Sequence, residues 1–492
     1  MLTNIISGFS ICLQPLNFLI LVTGVIMGIL VGAIPGINDT LLISLLAPMV
    51  MYLPPIQGFL GLIAIYCAGI YGGSITAILF RIPGTAAASA TVFDGYELTK
   101  KGQAGKALGT AIICSAIGGL FSVVMLMTIA PALAKVALQF GPPEYFSISF
   151  LGLSVISSLA SKSPIKGILS ALLGLFIATI GMDPMLGVSR FTFGSNFLLS
   201  GIQFIPAVIG LFAINEIFYQ TEKFVRKKFA TKSLKITTQL PSFQEFKRIF
   251  TTIIKSCGIG TLVGALPGAG ATVAAFLSYG EAVRSSKYPE KFGTGIIEGV
   301  AAPEAANNAS TGGAMIPLLS LGIPGGSTTA VLLSMLIIKG LRPGPLMFLQ
   351  QSQFVYSIFA GMFIANLIMI PFGLFFVQVF VRLLRIPEGI LYPAIFIIAT
   401  VGCYSLRSNL IDLWVMLVMG ILGYFMRKYE FPEAPLILGL ILGSLLEINF
   451  RTTLLMFDNP LIFFTRPISG VILIFAILAF LFPFVRGCFK KK

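Results

Sequence analysis

Uninterrupted apolar stretches recur along this chain, at 14–34, 58–80, 107–133, 144–160, 165–182, 197–219, 353–381, 388–403, 410–426, 432–448 and 467–485. A helix crossing the hydrocarbon core of a bilayer needs roughly 20 apolar residues, whereas a transmembrane strand reads as a shorter, alternating segment. These runs are continuous, so they predict membrane helices. Of 492 residues, 56% are hydrophobic and 10% charged. Folding in water would expose more apolar surface than a soluble protein carries. The expected fold is an all-α polytopic membrane protein with about a dozen membrane helices, some of them broken or re-entrant.

The net charge of +15 would suggest nucleic acid in a soluble chain. Here the basic residues cluster in loops between apolar runs, so they report orientation and no nucleic-acid partner is expected. The most polar stretch, Tyr219 to Arg248, carries Lys223, Arg226, Lys227, Lys228, Lys232, Lys235, Lys247 and Arg248. The positive-inside rule places it in the cytoplasm. Alternation then puts Lys100, Lys101, Lys106, Lys162, Lys166, Arg284 to Lys291, Arg382, Arg385, Arg427, Lys428 and Lys490 to Lys492 inside. The loops near Gly141, Arg190, Gln350, Arg407 and Pro460 fall outside. The first 80 residues hold no Lys or Arg, which suggests an external N-terminal end. No basic n-region or small-residue cleavage pattern indicates a cleaved signal.

Cys12, Cys67, Cys114, Cys257, Cys403 and Cys488 are scattered, with no CxxC spacing. Neither a metal site nor a disulfide framework is expected. The chain has no histidine, which removes His-based proton relays, most zinc sites and Ser-His or Cys-His catalysis. A membrane enzyme would need converging acids, His or Cys on adjacent helices, and no paired-acid motif is present.

The basic segment divides a repeat. Gly28-Ile-Leu-Val-Gly32-Ala-Ile-Pro35-Gly36 returns as Gly260-Thr-Leu-Val-Gly264-Ala-Leu-Pro267-Gly268, with Thr40 matching Thr272. Gly72-Gly73-Ser74 aligns with Gly312-Gly313-Ala314, and Ile82-Pro83-Gly84 with Ile323-Pro324-Gly325, with one residue inserted between. Two motifs in the same order at nearly the same spacing predict duplication. The expected organisation is a first transmembrane repeat at 1–220, a basic cytoplasmic linker at 221–248 and a second repeat at 249–492.

Proline removes a backbone donor and clashes with the preceding turn, and freed backbone groups in lipid must find partners. Four Pro-Gly pairs inside apolar segments, at Pro35, Pro83, Pro267 and Pro324, therefore predict broken helices lining a polar cavity. Simple kinks or surface turns are the alternative for any one pair. Half-helix N-termini suit a carboxylate, and unwound carbonyls suit Na⁺. The candidate substrate- or ion-binding residues are Pro35, Gly36, Asn38, Asp39, Thr40, Ser74, Thr76, Pro83, Gly84, Thr85, Pro267, Gly268, Thr272, Asn307, Asn308, Pro324, Gly325, Ser327 and Thr328. Small residues of this kind also serve helix packing.

Charges inside a membrane are costly and usually functional. Asp39 lies beside the first break, and Glu298 and Glu304 sit in a small-residue stretch. Asp183, Glu216, Asp412 and Glu447 lie near helix ends. Arg81 abuts Ile82-Pro83-Gly84, where it could neutralise a carboxylate or snorkel to the surface.

These residues carry a family resemblance. Tyr71-Gly-Gly-Ser-Ile-Thr-Ala-Ile-Leu-Phe-Arg-Ile-Pro-Gly-Thr85 followed by Asp94-Gly-Tyr resembles one signature of the tripartite tricarboxylate transporter large membrane subunit, the TctA family. Glu298-Gly-Val-Ala-Ala-Pro-Glu-Ala-Ala-Asn-Asn308, Leu321-Gly-Ile-Pro-Gly325 and Gly340-Leu-Arg-Pro-Gly-Pro345 resemble another. The resemblance spans nearly the whole chain. It implies a bacterial inner-membrane permease subunit with no enzymatic activity. Its implied partners are a small membrane subunit of about four helices and a periplasmic solute-binding protein. The implied cargo is citrate or a related carboxylate, imported on a cation gradient. Arg81 and Asn38-Asp39 stand where the family commonly has a small or polar residue and a further Gly.

The expected function is therefore a cation-coupled carboxylate permease subunit, with Na⁺ as coupling ion because His is absent and buried acids are few. A permease for another organic anion, or a channel, is the alternative. Two inverted-topology repeats are expected, with re-entrant hairpins at 14–53 and 250–283 entering from opposite faces. Their tips would move against a scaffold made of 107–219 and 353–485.

Overall fold

The computed structural model describes residues 2–34, 37–159, 163–224, 239–267, 270–375, 388–457 and 459–489. Among these residues the chain folds as helices, with one two-stranded hairpin. In order these are α1 (Leu2–Cys12), α2 (Pro15–Gly32), α3 (Asp39–Val50), α4 (Pro55–Phe80), α5 (Ser89–Lys100), α6 (Ala104–Ala137), α7 (Pro142–Leu159) and α8 (Pro164–Ala178). The hairpin β1 (Gly181–Met182) and β2 (Ser189–Arg190) follows. Then come α9 (Phe204–Ile209), a π-helical turn at Gly210–Ile214, α10 (Asn215–Phe224), α11 (Phe243–Ala265), α12 (Gly270–Ser285), α13 (Glu298–Leu321), α14 (Ser327–Ile338), α15 (Pro345–Gln350) and α16 (Ser352–Phe375). The last five are α17 (Glu388–Ser405), α18 (Leu410–Lys428), α19 (Glu433–Met456), α20 (Ile462–Thr465) and α21 (Pro467–Phe489).

Among the described residues, 7 helical stretches are long and apolar enough to cross a membrane: Pro15–Gly32, Pro55–Phe80, Ala104–Ala137, Phe204–Glu222, Ser352–Phe375, Leu410–Lys428 and Glu433–Met456. Shorter apolar helices include Asp39–Val50, Pro164–Ala178 and Ser327–Ile338. The chain is thus a multi-pass helical membrane protein.

Two helices occupy the centre. The most apolar stretch of α4 is wholly buried. Every residue of α13 except Leu321 is buried as well. Yet α13 carries Glu298, Glu304, Asn307, Asn308, Ser310 and Thr311, and no apolar run over it stands out in the sequence. Such a helix cannot face lipid, because each unsatisfied polar group would cost free energy there. Burial among other helices solves this. α2 packs on α4, α11 packs on α13, α6 packs along α13, and α16 touches α4 and α6. So α6 and α16, expected within a separate scaffold, lie directly against the central pair.

Small residues set these close approaches. A Cβ added at Gly32 would overlap the Gly69 carbonyl oxygen, and one at Gly264 would meet that of Ser310 at 2.5 Å. In the same way Gly72 abuts Ile29, and Gly313 abuts Thr261. Gly84 lies against Gly32 and Gly73, and Gly325 against Gly264 and Ala314.

A capped helix start falls within 221–248. α11 begins at Phe243, inside the expected linker, because Ser242 and Glu245 form a reciprocal cap: Ser242 N to Glu245 Oε2 is 2.9 Å and Glu245 N to Ser242 Oγ is 3.3 Å. Lys106 pairs with Glu245 at 2.5 Å, and Gln239 N donates to Gly105 O at 2.9 Å. Residues 225–238, with most of the basic segment, lie outside the described residues, as do Lys162, Arg382 and Arg385.

Candidate functional site

Four short helices begin directly after the Pro-Gly breaks: α3, α5, α12 and α14. Pro35, Gly36 and Gly268 themselves lie outside the described residues. The other breaks are visible. After α4, the Gly84 amide returns to the Gly73 carbonyl at 3.0 Å, and Thr85 Oγ1 accepts the Ala88 amide at 3.4 Å. After α13, the Ile323 amide reaches Pro317 O at 3.2 Å, and Gly326 N donates to Thr329 Oγ1 at 2.9 Å. Gly84, Pro324 and Gly325 are buried; Pro83, Thr85, Thr272 and Ser327 are half-buried. Pro267 lies beside Ile323, both facing Gly152 of α7.

These short helices associate in two pairs. α3 and α14 lie side by side and run the same way. At their N-terminal ends Thr328 Oγ1 donates to Asp39 Oδ2 at 2.7 Å, and Thr40 Oγ1 lies 2.6 Å from Thr328 Oγ1. At their C-terminal ends Lys339 Nζ donates to Met51 O and Leu53 O, both at 2.6 Å. Asn38 caps α3 by accepting the Leu41 amide at 2.9 Å. In the other pair Ala87 and Ala90 pack against Ala271 and Ala275, and Phe93 meets Phe276 edge-on.

The sequence-derived candidates therefore sort into groups. Asp39, Thr40 and Thr328 come together across 288 or more residues of chain. Asn308 Nδ2 donates to Cys67 O on α4 at 3.0 Å, within one turn of Gly69, against which Asp39 packs. Among the described residues, buried Asn307 finds no partner for its Nδ2 or its Oδ1, and Asn308 Oδ1 finds none either. Such orphans in a protein interior require a water or a ligand. Thr76 Oγ1 turns back on its own helix, to Gly73 O at 3.5 Å.

Ser74 belongs elsewhere. Its hydroxyl donates to Glu304 Oε1 at 2.5 Å, as does that of Thr91, while Ser115 donates to Glu304 Oε2 at 2.9 Å. All four residues are essentially fully buried. The sequence had flagged Glu304 but gave no sign of Thr91 or Ser115, since single hydroxyls in apolar helices are ordinary.

A third buried acid, Asp94, clamps the loop ahead of α13. Its Oδ1 accepts the amides of Gly293, Gly295 and Ile296 at 2.9, 2.8 and 3.0 Å, and its Oδ2 accepts the Tyr279 hydroxyl at 2.9 Å. Arg248 pairs with Glu298 at 2.5 Å nearby. Of its two expected roles, Arg81 takes the outward one: it is exposed, over the Tyr96 ring at 6.0 Å.

Loops at other helix ends carry ion pairs. Arg190 grips Glu447 with two bonds, at 2.7 and 3.2 Å, and Arg451 joins Asp183 at 2.7 Å and Glu447 at 2.9 Å. Arg451, with the Leu186 and Met185 amides, holds the Asp183 carboxyl well below the usual carboxylate range.

Comparison with known proteins agrees with this picture. No solved structure matches the chain. A protein of Agrobacterium vitis named "Uncharacterized 52.8 kDa protein in TAR-I ttuC' 3'region" is 39% identical over 474 residues, covering 96% of this chain and 94% of the relative. A second from the same organism, "Uncharacterized protein in TAR-II ttuC' 3'region", is 41% identical over 233 residues, 46% of this chain and 96% of the relative. Residues 18–438 match the family described as the tripartite tricarboxylate transporter TctA family. With its paired broken helices, buried polar α13 and full-length relative, this chain belongs to the TctA family, the membrane subunits of tripartite tricarboxylate transporters.

Proposed function

We propose that this chain moves citrate or a related carboxylate across a bacterial inner membrane, driven by Na⁺. It would receive the cargo from a periplasmic binding protein and work beside a small membrane subunit. The observation that carries the reading is the buried amide of Asn307, unpaired among the described residues, next in sequence to Asn308, which donates to Cys67 O two residues from Gly69, against which Asp39 packs. Helix N-termini and amides can bind an anion without a fixed positive charge that would trap it. Asn38, Thr40, Thr85, Thr272, Ser327 and Thr328 would supply further hydroxyl and amide contacts.

Equivalent glycine contacts support duplication. Gly72 on Ile29 corresponds to Gly313 on Thr261, and Gly84 on Gly32 and Gly73 to Gly325 on Gly264 and Ala314. This register aligns Gly72 with Gly313, one residue further on than the sequence alignment, and needs no insertion. We read 1–220 and 249–492 as inverted repeats, with α3 and α14 entering from outside and α5 and α12 from the cytoplasm.

Purified protein in proteoliposomes should accumulate carboxylate on an imposed Na⁺ gradient at fixed pH. Uptake driven by ΔpH alone, without Na⁺, would overturn the coupling. Asn307→Leu should abolish carboxylate-induced thermal stabilisation, and retention of that stabilisation would remove Asn307 from the site.

A further inference from the structure

The chain buries many acids, and most have a visible counter-charge. Arg466 reaches Glu144 at 2.8 Å, Arg451 reaches Asp183 at 2.7 Å, Arg248 reaches Glu298 at 2.5 Å, and Arg427 pairs with Glu216. Among the described residues Asp94 has no cation, but three amides and a phenol hydroxyl point at it. The amides can only donate, so they turn hydrogen and never oxygen toward that carboxylate. Asp39 stands at the first residue of α3, where the helix end carries partial positive charge.

Glu304 has none of these. It lies six residues beyond Glu298, past the first turn of α13, where the helix field has fallen away. Among the described residues no Lys or Arg is paired with it. Its partners are Ser74 of α4, Thr91 of α5 and Ser115 of α6. An ionised carboxylate so deep in a protein costs several kcal/mol unless its charge is matched. Hydroxyls differ from amides in one decisive respect: each has lone pairs as well as a hydrogen. They can rotate to present oxygen to a cation that the carboxylate attracts.

We propose that Glu304, Ser74, Thr91 and Ser115 form a binding site for one Na⁺ ion. The two carboxylate oxygens and three hydroxyl oxygens are hard donors, the type that alkali and alkaline-earth cations prefer. One negative charge balances a monovalent ion and would leave a divalent ion with surplus buried charge. These four residues offer only oxygen, which gives no advantage to soft, nitrogen- or sulfur-seeking metals.

The location gives the ion a task. It would join α4, α6 and α13 to α5, one of the four short helices. Thr91 lies in the first turn of α5, close behind the Pro83-Gly84 break, and Asp94, one turn on, holds the loop ahead of α13. An occupied cage fixes the position of α5; an empty one leaves a buried charge that favours its displacement. This inference rests on the proposed Na⁺-driven transport and assigns its ion to residues.

Thermal unfolding of the purified full chain tests it, in NaCl, KCl or choline chloride at constant ionic strength. Na⁺ should raise the Tm of the native chain with a saturable midpoint, as any ligand of the folded state does, and K⁺ should not. Glu304→Gln should melt near the native Tm in choline and lose the Na⁺ increment. Ser115→Ala should move the midpoint to roughly tenfold higher Na⁺ or beyond. If Glu304→Gln does not fold, Ser115→Ala and Thr91→Val decide the matter through their midpoints. A Na⁺ increment that survives in these variants overturns the proposal. So does a native chain stabilised by pH change alone and indifferent to Na⁺, which would assign the cage to a proton. A citrate titration in the same assay separates the two readings. Na⁺ stabilisation without any carboxylate response would leave this site standing and remove the proposed cargo. A carboxylate response with no Na⁺ effect would do the reverse.

Discussion

Thr328, in the first turn of α14, donates its hydroxyl to the Asp39 carboxylate at the first residue of α3, 2.7 Å away, and Thr40 lies 2.6 Å from the same hydroxyl. A hydroxyl has one hydrogen. Thr328 spends it on Asp39, so Thr40 must be the donor to Thr328. The hydrogen bonds run in one direction and tie the N-terminal ends of two helices that lie far apart in sequence.

Thr328→Val keeps the shape and removes this link. Asp39 and Thr40 then lose their buried partner, at a cost of about 1–3 kcal/mol. The Tm of purified protein should fall, and Thr328→Ser should restore most of it. Equal Tm values for Val and Ser would mean that the hydroxyl contributes nothing.

Gly32 and Gly264 should tolerate no side chain. An added Cβ would run into the backbone of Gly69 or of Ser310, and overpacking typically costs about 1–3 kcal/mol. Gly32→Val and Gly264→Val should lower the yield of folded protein in size-exclusion chromatography. Gly258, with nothing near its missing Cβ, is the control: Gly258→Ala should behave as the native chain.

Arg81 ends α4 in the left-handed region at φ 60°, where Gly322 ends α13 at φ 74°. A side chain is strained there and glycine is not. Arg81→Gly should raise stability by up to about 1 kcal/mol. A fall in Tm would show that Arg81 over Tyr96 stabilises more than its backbone strain costs.

The hairpin at 181–190 should loosen in acid. Arg451 keeps the folded-state value for Asp183 low, so its contribution is fully present above the ordinary carboxylate range. It is lost as pH falls from about 4 toward the depressed folded value. Protease cleavage near the exposed Leu186 should increase in that window, and Asp183→Asn should show the increase already at neutral pH.

Cysteine accessibility tests inversion. On a background with native cysteines removed, Pro55→Cys should label from outside and Lys287→Cys from the cytoplasm. Labelling from the same side would end the inverted-repeat reading.

Much of this was legible in the sequence. Apolar runs announce helices because lipid permits nothing less regular. Pro83-Gly84 and Pro324-Gly325 announce breaks because proline lacks the donor a helix needs. Thr328 was recognisable as a polar residue beside the last of these, and Asn38, Asp39 and Thr40 beside Pro35-Gly36. Helix α13 was less legible, since Glu304, Asn307 and Asn308 dilute its hydropathy. Its burial depends on the helices around it.

The sequence by itself determined the class of fold, the family and the places where helices break, since each depends on local composition or short motifs. Only the tertiary structure decided that Thr328 meets Asp39, that Ser74 faces away from them to join Thr91 and Ser115 on Glu304, and that Arg81 faces out. Those pairings span up to 289 residues of chain. No periodicity along one helix encodes which side chain of another it will meet; helix crossing and close glycine contacts fix that.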